Sequence, residues 1–89
     1  MHADQDIVED NVRAILCTIL GISPERARGF TNSTGLFGSL PELDSMAVAG
    51  LLGEMEDRLG IVIDDDEVDG ELLETFGGLT SFVRRKLAA

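Results

Sequence analysis

Apolar residues recur at Val8, Val12, Ile15, Leu16, Ile19 and Leu20, a spacing that places them on one face of an α-helix. Asp4 or Asp6 stands where an N-cap would, and Gly21 offers a left-handed stop. The pattern predicts a first helix over residues 5–20. Ser23-Pro24-Glu25 is a cap followed by a first-turn proline, so one short helical turn follows. From Gly29 to Leu43 the periodicity fails. Gly29, Asn32, Ser33, Gly35, Gly38, Ser39 and Pro41 interrupt the chain, while Phe30, Leu36, Phe37 and Leu40 are available to pin it to a core. Loops of this length are uncommon in small domains and tend to carry function.

A second main helix is predicted from Asp44-Ser45 to Leu59, closed by Gly60, with Val48, Leu52, Met55 and Leu59 as its inner stripe. Its interior holds Gly50 and Gly53, each costing roughly 0.5–1 kcal/mol against alanine. They either allow close packing or keep the helix soft and its surface low. Ile61-Val62-Ile63 alternates as a strand would, but no second strand candidate exists to pair with it, which leaves an extended, half-buried connector. Asp64 to Glu67 reads as a solvated acidic turn, and a short helix is expected around Glu71–Glu74. Thr75 can cap a last helix whose Phe76, Leu79, Phe82, Val83 and Leu87 share a face. Arg84, Arg85 and Lys86 fall in its final turn, where cations suit the helix dipole. The expected fold class is all-α, a small three- to four-helix bundle with a long loop between its first two main helices, in a single domain over residues 1–89.

Charge narrows the choice of function. Seventeen Asp and Glu against seven Lys and Arg give a net charge of −10 over 89 residues. Such a field repels phosphate backbones, which argues against nucleic acid, and it favours basic partners. The apolar runs are too short for a bilayer span of ~20 residues, so no membrane insertion is expected. The acidic start Met1-His2-Ala3-Asp4-Gln5-Asp6 lacks the basic charge of a secretory signal, and the expected compartment is the cytoplasm.

The inventory for catalysis is thin. His2 is the only histidine and lies in a terminus expected to fray, so neither Ser45 nor Cys17 has a base to activate it. Cys17, among Ile15, Leu16, Ile19 and Leu20, reads as a buried, inert thiol. Asp65, Glu67, Asp69 and Gly70 mimic the start of a calcium loop, yet Phe76 stands where the bidentate glutamate belongs, and no metal site is expected. Asn32-Ser33-Thr34 matches a glycosylation sequon and reads simply as loop. Leu43-Asp44-Ser45-Met46 differs from these. It sets a hydroxyl at the entrance of an amphipathic helix, after an acidic cap, where free N–H groups and the dipole favour an anion. Read alone, the tetrapeptide also fits an ordinary capped helix start.

Leu43-Asp44-Ser45-Met46, followed by Glu54-Met55-Glu56-Asp57-Arg58-Leu59-Gly60-Ile61-Val62-Ile63, resembles the acyl carrier protein family. There an Asp-Ser-Leu pattern opens an amphipathic helix that ends in acidic residues before an apolar extended stretch. The resemblance implies an acyl-carrier type of bundle and a protein that is not itself an enzyme. It also implies that Ser45 carries a phosphopantetheine arm transferred from coenzyme A, with acyl groups held on it as thioesters. Asp44, Met46, Glu54, Glu56 and Asp57 would then be read by partners, and the protein would be a monomer. The implied partners are a phosphopantetheinyl transferase and an acyl-activating ligase, acyltransferase or synthase with basic patches. Leu43 replaces the family's usual glycine, Ala47 and Gly50 fall where acidic residues are common, and Arg58 reverses a late acidic position. The stretch Leu36–Met46 is similar to specialised carriers that accompany bacterial exopolysaccharide and exosortase loci. Two other readings stay open, a peptidyl carrier loading aminoacyl groups and an acidic helical adaptor without a prosthetic group.

Overall fold

The computed structural model describes residues 3–88, with side chains from Ile7 onward. The expectation of a frayed His2 lies outside the described residues. Helix α1 (Ala3–Leu20) starts two residues before the predicted boundary. Asp4 and Asp6 therefore lie within the helix and neither holds the cap position predicted for them. Gly21 closes α1 at φ 69°, its N–H donating to the Cys17 carbonyl (3.0 Å). Ser23 then caps α2 (Pro24–Arg28), its hydroxyl accepting from the Arg26 N–H.

Helix α3 (Ser45–Leu59) follows the long loop. It is capped by Asp44 and stopped by left-handed Gly60. Its buried residues are Leu51 and Met55, flanked by partly buried Ala47, Val48 and Leu59. The predicted stripe placed Leu52 where Leu51 stands. Consecutive helical residues diverge by about 100°, so the face turned to α1 takes Leu51 and leaves Leu52 at its shoulder. The same geometry places Cys17 beside buried Leu16 but half-buried itself, rather than fully buried as expected.

Ile61-Val62-Ile63 is the extended connector expected from sequence: Ile61 is buried, Val62 is 70% exposed and Ile63 half-buried. Residues Asp65–Glu67 form one 3-10 turn. The short helix expected around Glu71–Glu74 does not form. Turns take its place: the Glu74 N–H bonds back only three residues, to the Glu71 carbonyl (3.3 Å), and the Phe76 and Gly77 N–H groups, which a continuing helix would send to Leu72 and Leu73, go to the Thr34 and Asn32 carbonyls (2.8 and 2.9 Å). Helix α4 (Phe76–Ala88) is capped by Thr75, whose hydroxyl accepts from Gly78 N–H. Phe76, Leu79, Phe82 and Val83 are buried as expected, but Leu87 is 46% exposed because the core ends at Val83. Thr80, buried among them, is satisfied by donating to the Gly77 carbonyl. The bundle is all-α, and no β-strand forms among the described residues.

Helix α1 is the central element, packing against α2, α3 and α4. Arg13 gives it polar reach. Its guanidinium lies 4.9 Å from the centre of the Phe76 ring and donates to the carbonyls of Ala27 and Phe30. One cation thereby satisfies the carboxyl-terminal end of α2 and stacks on the start of α4. Arg84 binds Glu9 and ties α4 back to α1.

The loop over residues 30–43 is folded into this frame. Phe30, Leu36, Leu40 and Leu43 are buried, as the first three were expected to be, and Phe30 meets Phe76 edge-on. Phe37 departs from the expectation at 44% exposed. Main-chain bonds Leu36–Glu74, Phe37–Leu73, Phe76–Thr34 and Gly77–Asn32 lace the loop to the entrance of α4. Gly77 permits the last of these, since a Cβ there would stand 2.7 Å from the Asn32 carbonyl oxygen. By contrast, a Cβ on Gly53 would meet nothing within 4 Å, and one on Gly50 only Ile19 at 3.8 Å. Close packing therefore does not explain the two α3 glycines.

Gly53→Ala should raise stability by about 0.5–1 kcal/mol, whereas Gly77→Ala should lower it by about 1–3 kcal/mol through overpacking. Thermal unfolding checks both, each kcal/mol moving the midpoint by about 4–8 °C in a domain of this size.

Candidate functional site

The end of the long loop aims the start of α3. Leu43 is buried and its N–H donates to the Leu40 carbonyl, while Arg26 of α2 pairs with Glu42. Asp44 follows in extended conformation, and its Oδ1 accepts from Ala47 N–H at 2.8 Å. Ser45 is the first residue of α3 and is exposed. Helix geometry leaves the N–H groups of Ser45 and Met46 without an intrahelical acceptor, so the field at the hydroxyl favours negative charge.

Beside Ser45 opens a cleft of ≈ 310 Å³, lined by the apolar side chains of Phe37, Val48, Val68 and Leu73 together with Asp69 and Gly70. Phe37, Val48 and the segment from Val68 to Leu73 reach it from three separate stretches of chain, so no local pattern announces it. The exposure of Phe37 is explained by its place at this cleft. A serine hydroxyl at an anion-favouring helix end, beside an apolar cleft, suits a group joined through a phosphodiester and continuing as a long, partly apolar arm.

The residues predicted to meet partners share α3 but differ in state. Met46 is 85% exposed. Asp57, eleven residues on, is exposed on the same face. Glu54 is engaged by Arg58 (2.6 Å), which also donates to Thr18 of α1. Glu56 is half-buried and accepts from Ile63 N–H at 2.8 Å, so it holds the connector rather than standing free. Asp44 is occupied as the cap. Sequence spacing could not show that Glu54 and Glu56 are already engaged within the chain.

Two carboxyls are displaced from their ordinary range. Hydrogen bonding from Arg26, then from its own backbone N–H, holds Glu42 below the usual carboxylate value. Lys86, then the Asp64 N–H, does the same for Glu67. In the acidic stretch, Glu67 is occupied by Lys86 and Asp69 by Leu72 N–H. Among the described residues no three His, Cys, Asp or Glu side chains converge on a possible metal position.

Comparison with known proteins places this geometry in a family. Residues 10–83 match the family model described as a phosphopantetheine attachment site. A holo acyl carrier protein from Nitrosomonas europaea, solved in solution by NMR, superimposes with a TM-score of 0.83 at 40% sequence identity, covering 92% of this chain and 96% of that one. No curated protein matches the chain significantly by sequence. The chain belongs to the phosphopantetheine-attachment family. It is a carrier protein with the acyl-carrier fold, and its prosthetic group is covalently attached 4′-phosphopantetheine. Proteins of this family are carriers rather than catalysts, and they work with a phosphopantetheinyl transferase and with acyl-handling enzymes. Among the described residues, no helix is long and apolar enough to cross a membrane.

The engaged carboxylates make separate predictions. Glu56→Lys should cost about 1–3 kcal/mol, because it strips a charged acceptor from a half-buried N–H, while Asp57→Lys should stay within about 0.5 kcal/mol. Denaturant unfolding checks both. Glu42 and Glu67 have folded values below their ordinary 4.5. Their contribution is therefore present above pH 4.5 and is lost as pH falls through the depressed folded values. The double variant Glu42→Gln/Glu67→Gln should lose less stability than the native chain on acidification below pH 4.5, as followed by circular dichroism.

Proposed function

We propose that Ser45 is the attachment point of the phosphopantetheine arm, and that residues 1–89 form a single acyl-carrier domain. The observation carrying this reading is the exposed Ser45 hydroxyl at the first residue of a capped helix, on the rim of an apolar cleft and inside the matched segment. When attached, the arm ends in a thiol that holds an acyl group as a thioester. This chain's own part is to present the hydroxyl at a fixed angle, to favour the phosphodiester charge through the helix start, and to offer the cleft to the apolar part of what is carried. A catalytic base on the carrier is unnecessary, since the transferase activates the serine.

The partners in this reading are the transferase and an acyl-activating ligase, acyltransferase or synthase, met in the cytoplasm. They dock on α3 around Met46 and Asp57. Asp57 is the favoured electrostatic contact, because Glu54 and Glu56 are held by Arg58 and by Ile63. Similarity to an acyl carrier protein favours acyl over aminoacyl cargo.

Incubation with coenzyme A and a broad-specificity phosphopantetheinyl transferase should add one phosphopantetheine to the native chain by intact mass, and none to Ser45→Ala. Modification of Ser45→Ala, or a native chain that takes no arm, would rule out the assignment. Asp57→Lys should slow transfer by a partner enzyme by roughly threefold or more at low salt, with the difference shrinking as ionic strength rises. Steady-state rates across a salt series check this.

A further inference from the structure

The walls of the Ser45 cleft are built differently. Phe37 and Leu73 belong to segments laced by the main-chain bonds Leu36–Glu74, Phe37–Leu73 and Phe76–Thr34, each 2.8 Å. Val68, Asp69 and Gly70 come from the strap over residues 61–71, whose main-chain bonds among the described residues are local: Glu67 N–H to Asp64, Val68 N–H to Asp65, and Glu71 accepting from Glu74. Side chains supply the strap's polar ties to the helices. Glu56 accepts from Ile63 N–H at its start, and Lys86 of α4 pairs with Glu67 at 2.6 Å, one residue before the cleft wall begins. The Glu67–Lys86 pair is sheltered, with side chains 31% and 22% exposed. The Lys86 ammonium also sits 5.7 Å from the Phe82 ring centre. Glu67 closes a capping box with Asp64, so the pair fixes the whole 3-10 turn and not one side chain.

We infer that Lys86 is a positioning residue for the cleft beside Ser45: through Glu67 it holds the strap wall of Val68, Asp69 and Gly70 against the laced wall of Phe37 and Leu73, and so sets how readily the cleft opens to what Ser45 carries. The inference rests on Ser45 being the attachment point. It assigns a role to a residue three positions from the end of the chain, on a helix that supplies no lining to the cleft. Release of the pair frees the strap while the lacing stays closed, so opening is one-sided.

The test is amide hydrogen exchange on the unmodified chain, together with the lifetime of an octanoyl thioester on the phosphopantetheine-bearing chain exposed to hydroxylamine. Lys86→Gln should speed exchange at residues 64–70 by about two- to fivefold, the range expected for loss of one partly sheltered ion pair, and leave Leu36, Phe37 and Phe76 unchanged. The thioester lifetime should shorten by a similar factor. Lys86→Arg should restore both. Arg85→Gln, which removes a neighbouring charge that makes no ion pair among the described residues, should match the native chain more closely than Lys86→Gln does. Unchanged strap exchange, acceleration spread evenly over the chain, or faster exchange with an unaltered thioester lifetime each overturns the role. A chain that takes no arm at Ser45 would instead overturn the attachment reading, with strap exchange still judging the Lys86 tie.

Discussion

The structure depends on the main-chain lacing between the long loop and the entrance of α4. A loop over residues 30–43 without its own regular structure carries an ordering cost of about 1–2 kcal/mol per residue. Burial of Phe30, Leu36, Leu40 and Leu43 opposes that cost without fixing direction, because hydrophobic burial is non-directional. The bonds from Leu36 to Glu74, Phe37 to Leu73, Phe76 to Thr34 and Gly77 to Asn32 supply the direction. They fix where Phe37 stands and how the loop runs on through Leu40 and Leu43 to the α3 cap. Their geometry requires Gly77, and they divert the Phe76 and Gly77 N–H groups that would have carried a helix on from 71–74.

From that frame the site follows. A carrier must hold one hydroxyl in the open at a rigid point while staying chemically inert. In the proposed reading Ser45, exposed at the head of a capped helix, is that hydroxyl, and the helix start favours a phosphodiester. The strongly acidic composition is not spread as free charge over α3. Arg58 neutralises Glu54, and the connector occupies Glu56, which leaves Asp57 and Met46 exposed on one face of α3. The free charge that α3 presents is therefore smaller than the net charge of −10 suggests.

Much of this was legible in the sequence because local rules act on adjacent residues. Gly21 and Gly60 in left-handed conformation, Ser23 before Pro24, Asp44 before Ser45, and Thr75 before Phe76 each mark a helix end within a few residues. Periodicity found the inner faces of α1 and α4, and the resemblance at 43–63 named the family and its prosthetic group. The errors fell where neighbours distant in sequence decide. Leu51 replaced Leu52 because α1 chose the face, Phe37 stayed exposed because it borders a cleft, and Leu87 overran the core.

Sequence by itself determined the all-α class, most of the helix ends and the chemistry that Ser45 invites, since caps, glycine stops and apolar spacing depend on contacts within one or two turns. Tertiary structure alone decided that residues 71–74 give up a helix to bind the loop, that Arg13 bridges the end of α2 and Phe76, and that Lys86 reaches Glu67 beside the cleft. Each of these joins groups fourteen or more positions apart. At such separations the partner is chosen by how the helices pack, and the local pattern of residues carries no record of it.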